Sequence, residues 1–347
     1  MVANPVEDKS PDPSWPLTGV MILRYAGVIV RHLTSFVVTL VVAVAAATGG
    51  YVATWPAPEV LRLGVSAWPG SEPLFLAQDA NLFTAAGISV ELIEYTSFAD
   101  VAGACARGDV DAMVGTMHDS IAVLVRSHRQ PVVVRVTDRS YGDDQWLACS
   151  DIANLADLAG RRIGVEVASV GPEILHYALA SVGLDESDVI VVPSEPAGMA
   201  EAMTAGTVDA VVTYQPYASA VPASDGRLLF SSADLAEPIL DALMIDRDYL
   251  HRNPNAAGAV PRAFTAAQAR IAQDPGQSYA DMGRRLGLSG PEFKAIYAQV
   301  RPVGAAEDRA LRQSGAVLAA AARTAALLRC LAMIDDVELA GVVHDDG

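Results

Sequence analysis

Seven short segments, AWPGSEP (67–73), YTSFAD (95–100), GTMHD (115–119), DRSYGDD (138–144), VASVGPE (167–173), PSEPAG (193–198) and YQPY (214–217), are rich in Ser, Thr, Asp and aromatic residues. Hydroxyls and ring faces of this kind hold small polar molecules by hydrogen bonding and stacking. The segments contain a single Arg or Lys, Arg139. A fully charged phosphate calls for more cations than that, although helix N-termini can hold an anion through backbone N–H groups alone. Glu72, Asp119, Asp143 and Asp144 suit instead an amine or an amidine-like ring, and Trp68 stands in a Pro- and Gly-containing loop where an aromatic either stacks on a ligand or caps the edge of a lobe.

Catalysis has less support. His118 beside Asp119 is a pair capable of acid–base work. No second His stands at ligand spacing on the same element, and HExxH, GxSxG, Walker A and GxGxxG patterns are absent. His176 reads as a core or surface residue. Cys105, Cys149 and Cys330 form no CxxC pattern and read as buried thiols rather than a zinc site or disulfide framework. The expectation is therefore no enzyme, no metal and no cofactor.

The elements that position these segments announce themselves by repetition. Thr96 to Thr116 (TSFADVAGACARGDVDAMVGT) aligns without a gap on Ser194 to Tyr214 (SEPAGMAEAMTAGTVDAVVTY), with Gly108, Val110, Asp111 and Ala112 meeting Gly206, Val208, Asp209 and Ala210. Upstream, RLGV (62–65) is echoed by RIGV (162–165). A unit of this length implies two related α/β lobes rather than a solenoid. Strands are expected at 61–66, 88–95, 110–116 and 131–138, and again at 161–167, 189–194 and 208–214, with helices between them. Short crossovers containing a helix predict parallel sheets. Asp111 and Asp209, each at a strand start, are expected to satisfy backbone N–H groups. RSYGDDQWLACS (139–150) reads as a hinge, RLLFSS and ALMIDRDYL as strands returning to the first lobe, and 305–332 as one long helix after a Ser289 cap. In open α/β sheets ligands bind beyond the carboxyl ends of the strands, so the repeat presents one kind of strand end from both sides of a cleft.

Length and charge bound the partners. The 347 residues suffice for two domains, and 52% hydrophobic with 19% charged residues is a folding composition. The formal net charge of -17 falls wholly after residue 53, because Lys9, Arg24 and Arg31 balance Glu7, Asp8 and Asp12. Such a body is repelled by nucleic acid and by anionic lipid. Before it, LTSFVVTLVVAVAAATGGYVATW (33–55) is apolar over a bilayer's length, with Arg24 and Arg31 on its N-terminal side. The positive-inside rule then places all that follows outside the cytoplasm. An uncleaved anchor and a signal peptide cut near AVAAATGG both remain open, as does a start at Met21.

The stretches WPGSEPLFLAQDANLFTAAGISVELIEY, ARGDVDAMVGT, DLAGRRIGVEVASVGPEILHYAL and AGTVDAVVTYQPY resemble the extracytoplasmic substrate-binding proteins of ABC importers in the nitrate, sulfonate and taurine (NitT/TauT) group, over about residues 60–300. That group includes proteins similar to thiamine-pyrimidine precursor synthases. The resemblance implies a periplasmic-binding-protein fold, two hinged parallel-sheet lobes closing on ligand, preceded by a transmembrane or signal helix and followed by a helical C-terminal region. Its domains would be 1–55, a first lobe of 56–142 with 222–347, and a second lobe of 143–221. By position, Trp68, Glu72, Ser97, Thr116, Asp119 and Asp143 would bind from the first lobe and the crossing, and Ser169, Gly171 and Tyr214 from the second. Gln215 departs from the Glu often seen before the Pro of that motif, removing one negative charge from the cleft.

The function implied is a monomeric bacterial solute-binding component that delivers a sulfonate- or taurine-like, nitrate, or pyrimidine- or amine-like solute to an ABC permease and its ATPase. A membrane-anchored sensory or adaptor module using the same cleft is the alternative. A thiamine-pathway enzyme is disfavoured by the export segment and by the absence of that branch's cysteine-rich element.

Overall fold

The structure, a computed structural model, describes residues 59–222 and 226–344 together with Val37 and Thr39. The chain divides into Met1–Ala57 and Pro58–Gly347. The apolar segment 33–55 lies outside the described residues except for Val37 and Thr39, both helical. Among the described residues no helix is long and apolar enough to cross a membrane.

Eleven described strands form two sheets. They are β1 (Leu61–Ser66), β2 (Val90–Tyr95), β3 (Ala112–Thr116), β4 (Pro131–Ser140), β5 (Asp144–Ala148), β6 (Arg162–Val165), β7 (Ile190–Pro193), β8 (Ala210–Tyr214), β9 (Arg227–Ser231), β10 (Ile239–Asp246) and β11 (Val300–Pro302). The first sheet runs β11-β4-β10-β3-β1-β2 and the second β7-β6-β8-β5-β9. Parallel pairing holds within β2-β1-β3 and within β7-β6-β8, the repeated units.

Both sheets are mixed rather than parallel. β10 runs antiparallel to β3 and β4, and β5 antiparallel to β8 and β9. The reason is the chain path. A strand entering a sheet from the other lobe arrives at the carboxyl ends of the resident strands and must run away from them. β5 enters the second sheet this way after β4, and β10 enters the first after β9. The strand RLLFS, expected in the first lobe, is therefore β9 of the second sheet, and the chain recrosses only after Ser231.

The repeat has a structural cause. Arg62 grips Asp111 through Nε and Nη2 at 2.8 Å each, and the Asp111 carboxylate also accepts the Arg62 backbone N–H. Arg162 and Asp209 repeat the arrangement at 3.1 and 2.8 Å, with the Arg162 N–H bound at 2.8 Å. Each pair ties the start of one parallel strand to its neighbour, as the position of the two aspartates led one to expect.

Helices cover the sheets, and their apolar faces make the cores. Leu61, Leu63, Val65, Val114 and Ile245 pack with Phe264 of Ala256–Gln273 on one side of the first sheet, and Met113, Val133 and Met244 pack with Val317 and Ala321 on the other. Trp146, Ile163, Val165 and Val212 form the second core with Ile174 and Leu175 of the helix Gly171–Ala180. The long C-terminal helix is instead two, Ala305–Gln313 and Ala316–Cys330, broken where Gly315 adopts φ +78°. Ser289 caps its helix, accepting from the Glu292 N–H. Of the thiols only Cys105 is buried; Cys149 is half-buried and Cys330 exposed.

Candidate functional site

Because β3, β4, β8 and β9 all end, and β5 and β10 begin, where the two sheets meet, their terminal residues converge there. Asp241 lies opposite Thr116 on β3 and opposite Asp138 on β4, while Asp144 lies opposite Tyr214 on β8. The two crossings are bonded to each other: the Ser140 and Ser232 hydroxyls are 2.7 Å apart and the Gly142 N–H donates to Ser232 Oγ at 2.7 Å.

Three helices of this region begin at strand ends, and each has a carboxylate in or against its first turn, the charge that an N-terminus favours. Thr116 caps Met117–Arg126, and Asp119 closes the capping box by accepting the Thr116 N–H at 2.7 Å. Ser97 caps Phe98–Arg107, and Glu166 from the end of β6 accepts the Ala99 N–H there at 3.0 Å. Glu173 occupies the first turn of Gly171–Ala180, its Oε1 3.1 Å from His118 Nδ1 and its Oε2 accepting Thr324 Oγ1 at 3.1 Å. The contacts of Glu166 and Glu173 span the lobes, as does Ser169 Oγ, which donates to Asp119 Oδ1 at 2.7 Å.

An aromatic cluster closes the same interface. Trp68 lies 5.9 Å from Phe98 and 6.1 Å from Tyr214, and Tyr214 lies 5.3 Å from Phe98, centroid to centroid. Trp68 Nε1 donates to Asp138 Oδ1 at 3.2 Å. Gly70 is required here, since a Cβ would stand 2.4 Å from Asp138 Oδ2.

The expected residues are thus brought together with two exceptions of direction. Glu72 is buried but bound to Arg285, Oε2 to Nε at 3.2 Å, with its other oxygen unpartnered; burial pushes it up to about 8. Gln215, whose peptide bond to Pro216 is cis, turns its Oε1 onto Ser219 Oγ at 2.7 Å. Gly171 serves by its smallness: a Cβ would stand 2.7 Å from the Glu166 carbonyl oxygen.

Asp143 and Asp144 do not face water as turn formers would. Both are buried, and neither oxygen of Asp143 has a hydrogen-bond partner. Burial, aggravated by Asp144 and Asp138, pushes Asp143 up to about 9; burial pushes Asp144 up to about 7 and Glu166 to about 7. It also raises Asp119, Asp138 and Asp241, the last two facing each other across β4 and β10. Glu166, Glu173, Asp138 and Asp241 were not among the residues singled out from sequence. Glu166 and Asp138 stand at the ends of expected strands, so the strand-end rule alone could have found them. Asp241 had no such signal, because β10 enters from the other lobe.

A cavity of about 300 Å³ reaches Glu173 of this acidic group and Thr116, the residue opposite Asp241. Thr116, His118 and Glu173 line it on the polar side, and Phe230, Leu240 and Ile174 on the apolar side.

Two α/β lobes joined by two crossings, with strand ends opposed, define the periplasmic-binding-protein class. The chain belongs to the NMT1-like family, whose model matches residues 55–280. Its fold is that of the alkanesulfonate-binding protein SsuA from Xanthomonas axonopodis pv. citri bound to MOPS, with a TM-score of 0.69 at 21% identity over 84% of this chain and 99% of that one. The periplasmic aliphatic sulphonate binding protein SsuA from Escherichia coli matches with a TM-score of 0.65 at 22% identity, over 81% and 95% of the two chains. A curated relative from Escherichia coli (strain K12), named for binding aliphatic sulfonates, is 30% identical over 154 residues, 44% of this chain. That match spans about half the relative's length, 48%.

Proposed function

We propose that this chain is the extracytoplasmic solute-binding component of an ABC importer, closing two lobes over a small polar organic solute and delivering it to a permease and its ATPase. The observation that carries this reading is the ring of contacts between lobes, Asp119 to Ser169, Glu166 to Ala99 and Trp68 to Tyr214, around buried polar groups left without partners. Contacts of this kind break when the lobes part and form again when they close, which is how hinged binding proteins couple capture to shape. The relatives named for sulfonates support the same role, and the apolar 33–55 segment supports delivery to the outer face of a membrane, whether retained or cleaved.

The test is thermal unfolding of the full chain against sulfonates, taurine, nitrate, aminopyrimidines and small amines. A solute at a hundredfold its Kd adds about 2.7 kcal/mol, a shift of several degrees. A panel that moves nothing would count against a binding role.

A further inference from the structure

We propose that the captured solute is an organic cation, a protonated amine or amidine, whose positive group lies against Asp143 with Asp138, Asp144 and Asp241 around it. This rests on the binding-protein reading and narrows it.

The first argument is that the places built for an anion are already taken. The helix N-termini at Thr116 and Ser97 hold Asp119 and Glu166, and at Gly171 the first turn carries Glu173, whose oxygens face His118 and Thr324. A sulfonate or nitrate entering here would face carboxylates at each of them.

The second is the commitment of the cations. On β4, Arg135 turns to Asp308 at 3.6 Å and to the Val303 carbonyl, and Arg139 pairs with Glu307 at 2.5 Å. Arg285 is divided between Glu72 and Glu94, and Arg323 beside the cavity faces Glu237 at 3.5 Å. The main charged influences on Asp143, Asp144 and Asp241 are instead other carboxylates, Asp138, Asp144, Asp119 and Glu173 among them.

The third is the unmet bonding of Asp143. It is fully buried and both its oxygens lack a partner, while the neighbouring carboxyls of Asp138 and Asp241 share a hydrogen bond with each other. Buried carboxylates are ordinarily paired or hydrogen-bonded. Among the described residues no three acidic, His or Cys side chains converge closely enough to hold a metal ion. Acceptors spread in this way suit a group with several N–H donors. The cavity reaches Thr116 and Leu240, which neighbour Asp241 across and along β10, and its apolar wall offers room for the rest of such a molecule.

The fourth is protonation. Burial holds Asp143 largely protonated and Asp144 about half protonated near pH 7 in the absence of a cation. An arriving ammonium or amidinium restores their charge and expels their protons to solvent, so binding and proton release are linked.

The experiment is calorimetric titration of the full chain at pH 7.5 with benzylamine, benzamidine and agmatine, and in parallel with methanesulfonate, taurine and nitrate. The expected result is saturable binding of at least one of the three cations, with a heat that varies with the ionisation heat of the buffer. Asp143→Asn and Asp144→Asn should each weaken that binding tenfold or more while still giving a cooperative melt, and Asp79→Asn, on the exposed surface, should leave it unchanged. Binding of methanesulfonate or nitrate without any cation would overturn the inference and leave the binding-protein reading standing. Binding by neither class would overturn both. Cation binding untouched by Asp143→Asn and Asp144→Asn would overturn the assignment of these residues.

Discussion

The carboxylate of Glu166, at the end of the second lobe's β6, accepts the backbone N–H of Ala99 at 3.0 Å, in the first turn of a first-lobe helix. A helix N-terminus is where a protein of this class can take an anion from solution; here one lobe supplies the anion to the other. Fifty residues before Ser169 in the chain, Asp119 does the reverse, receiving the Ser169 hydroxyl at 2.7 Å. The lobes are thus joined in part by the protein's own carboxylates, which is one ground for the cationic solute proposed above.

The Asp119–Ser169 bond is made only when the lobes meet, so its loss should be felt in affinity as well as in unfolding. Ser169→Ala leaves Asp119 Oδ1 buried without this donor, which costs about 1–3 kcal/mol. Even about 1.4 kcal/mol of that expressed on opening is about tenfold in Kd. Titration of the variant with whichever solute binds the parent chain measures it, and an unchanged Kd would mean that the lobes close without this contact.

The buried acids make stability depend on pH in an unusual direction. A carboxyl whose folded pKa stands above its unfolded value, about 4, contributes stability below the unfolded pKa and loses it as pH rises through the folded one. Glu166 and Asp144 at about 7 and Asp143 at about 9 place that loss between roughly pH 4 and 9. Asp209, depressed by Arg162, acts in the opposite sense and only below its ordinary range. The solute-free chain is expected to melt higher at pH 5 than at pH 8. Asp143→Asn, with no proton to lose, should flatten the profile and raise Tm at pH 8 by a few degrees; a Tm that climbs from pH 5 to pH 8 would refute this.

How far the sequence foretold this is clearest at the repeat. The Arg and Asp of RLGV…GDVDA and RIGV…GTVDA are read from spacing, and they form the same bidentate pair in each lobe. Strand ends found by pattern carried Thr116, Asp119, Ser169 and Tyr214 to one interface. What pattern cannot show is which sheet a strand joins. RLLFS has the alternation and length of either lobe's strands, and its place in the second sheet is decided by where the chain crosses. Asp241 was missed for that reason, since its neighbourhood with Asp138 and Thr116 exists only once β10 inserts between β3 and β4.

The repeated pair also gives a stability prediction. Asp111 is buried and answers both the Arg62 guanidinium and its backbone N–H, so Asp111→Ala should cost about 2–3 kcal/mol, the scale of hydrogen bonds to a charged group plus an unsatisfied N–H. Asp209 is more exposed, 21% against 6% for the side chain of Asp111, and Asp209→Ala should cost less. Urea unfolding of the two variants compares them; equal losses would show that burial does not set the difference.

Trp68 joins the two features of the interface, because its ring packs on Phe98 and Tyr214 while its N–H holds Asp138. Trp68→Ala removes a fully buried indole and should cost about 3–5 kcal/mol. Trp68→Phe keeps a ring in place and deletes the donor, so it separates packing from the positioning of Asp138. If Asp138 helps hold a cationic group, the phenylalanine variant should retain most of the stability yet bind the cation five- to tenfold more weakly. Its binding of a neutral analogue of the same shape should change little, because the loss acts through the carboxylate. Parallel titrations with benzylamine and benzyl alcohol read that difference, and equal losses for both would assign Trp68 a packing role alone.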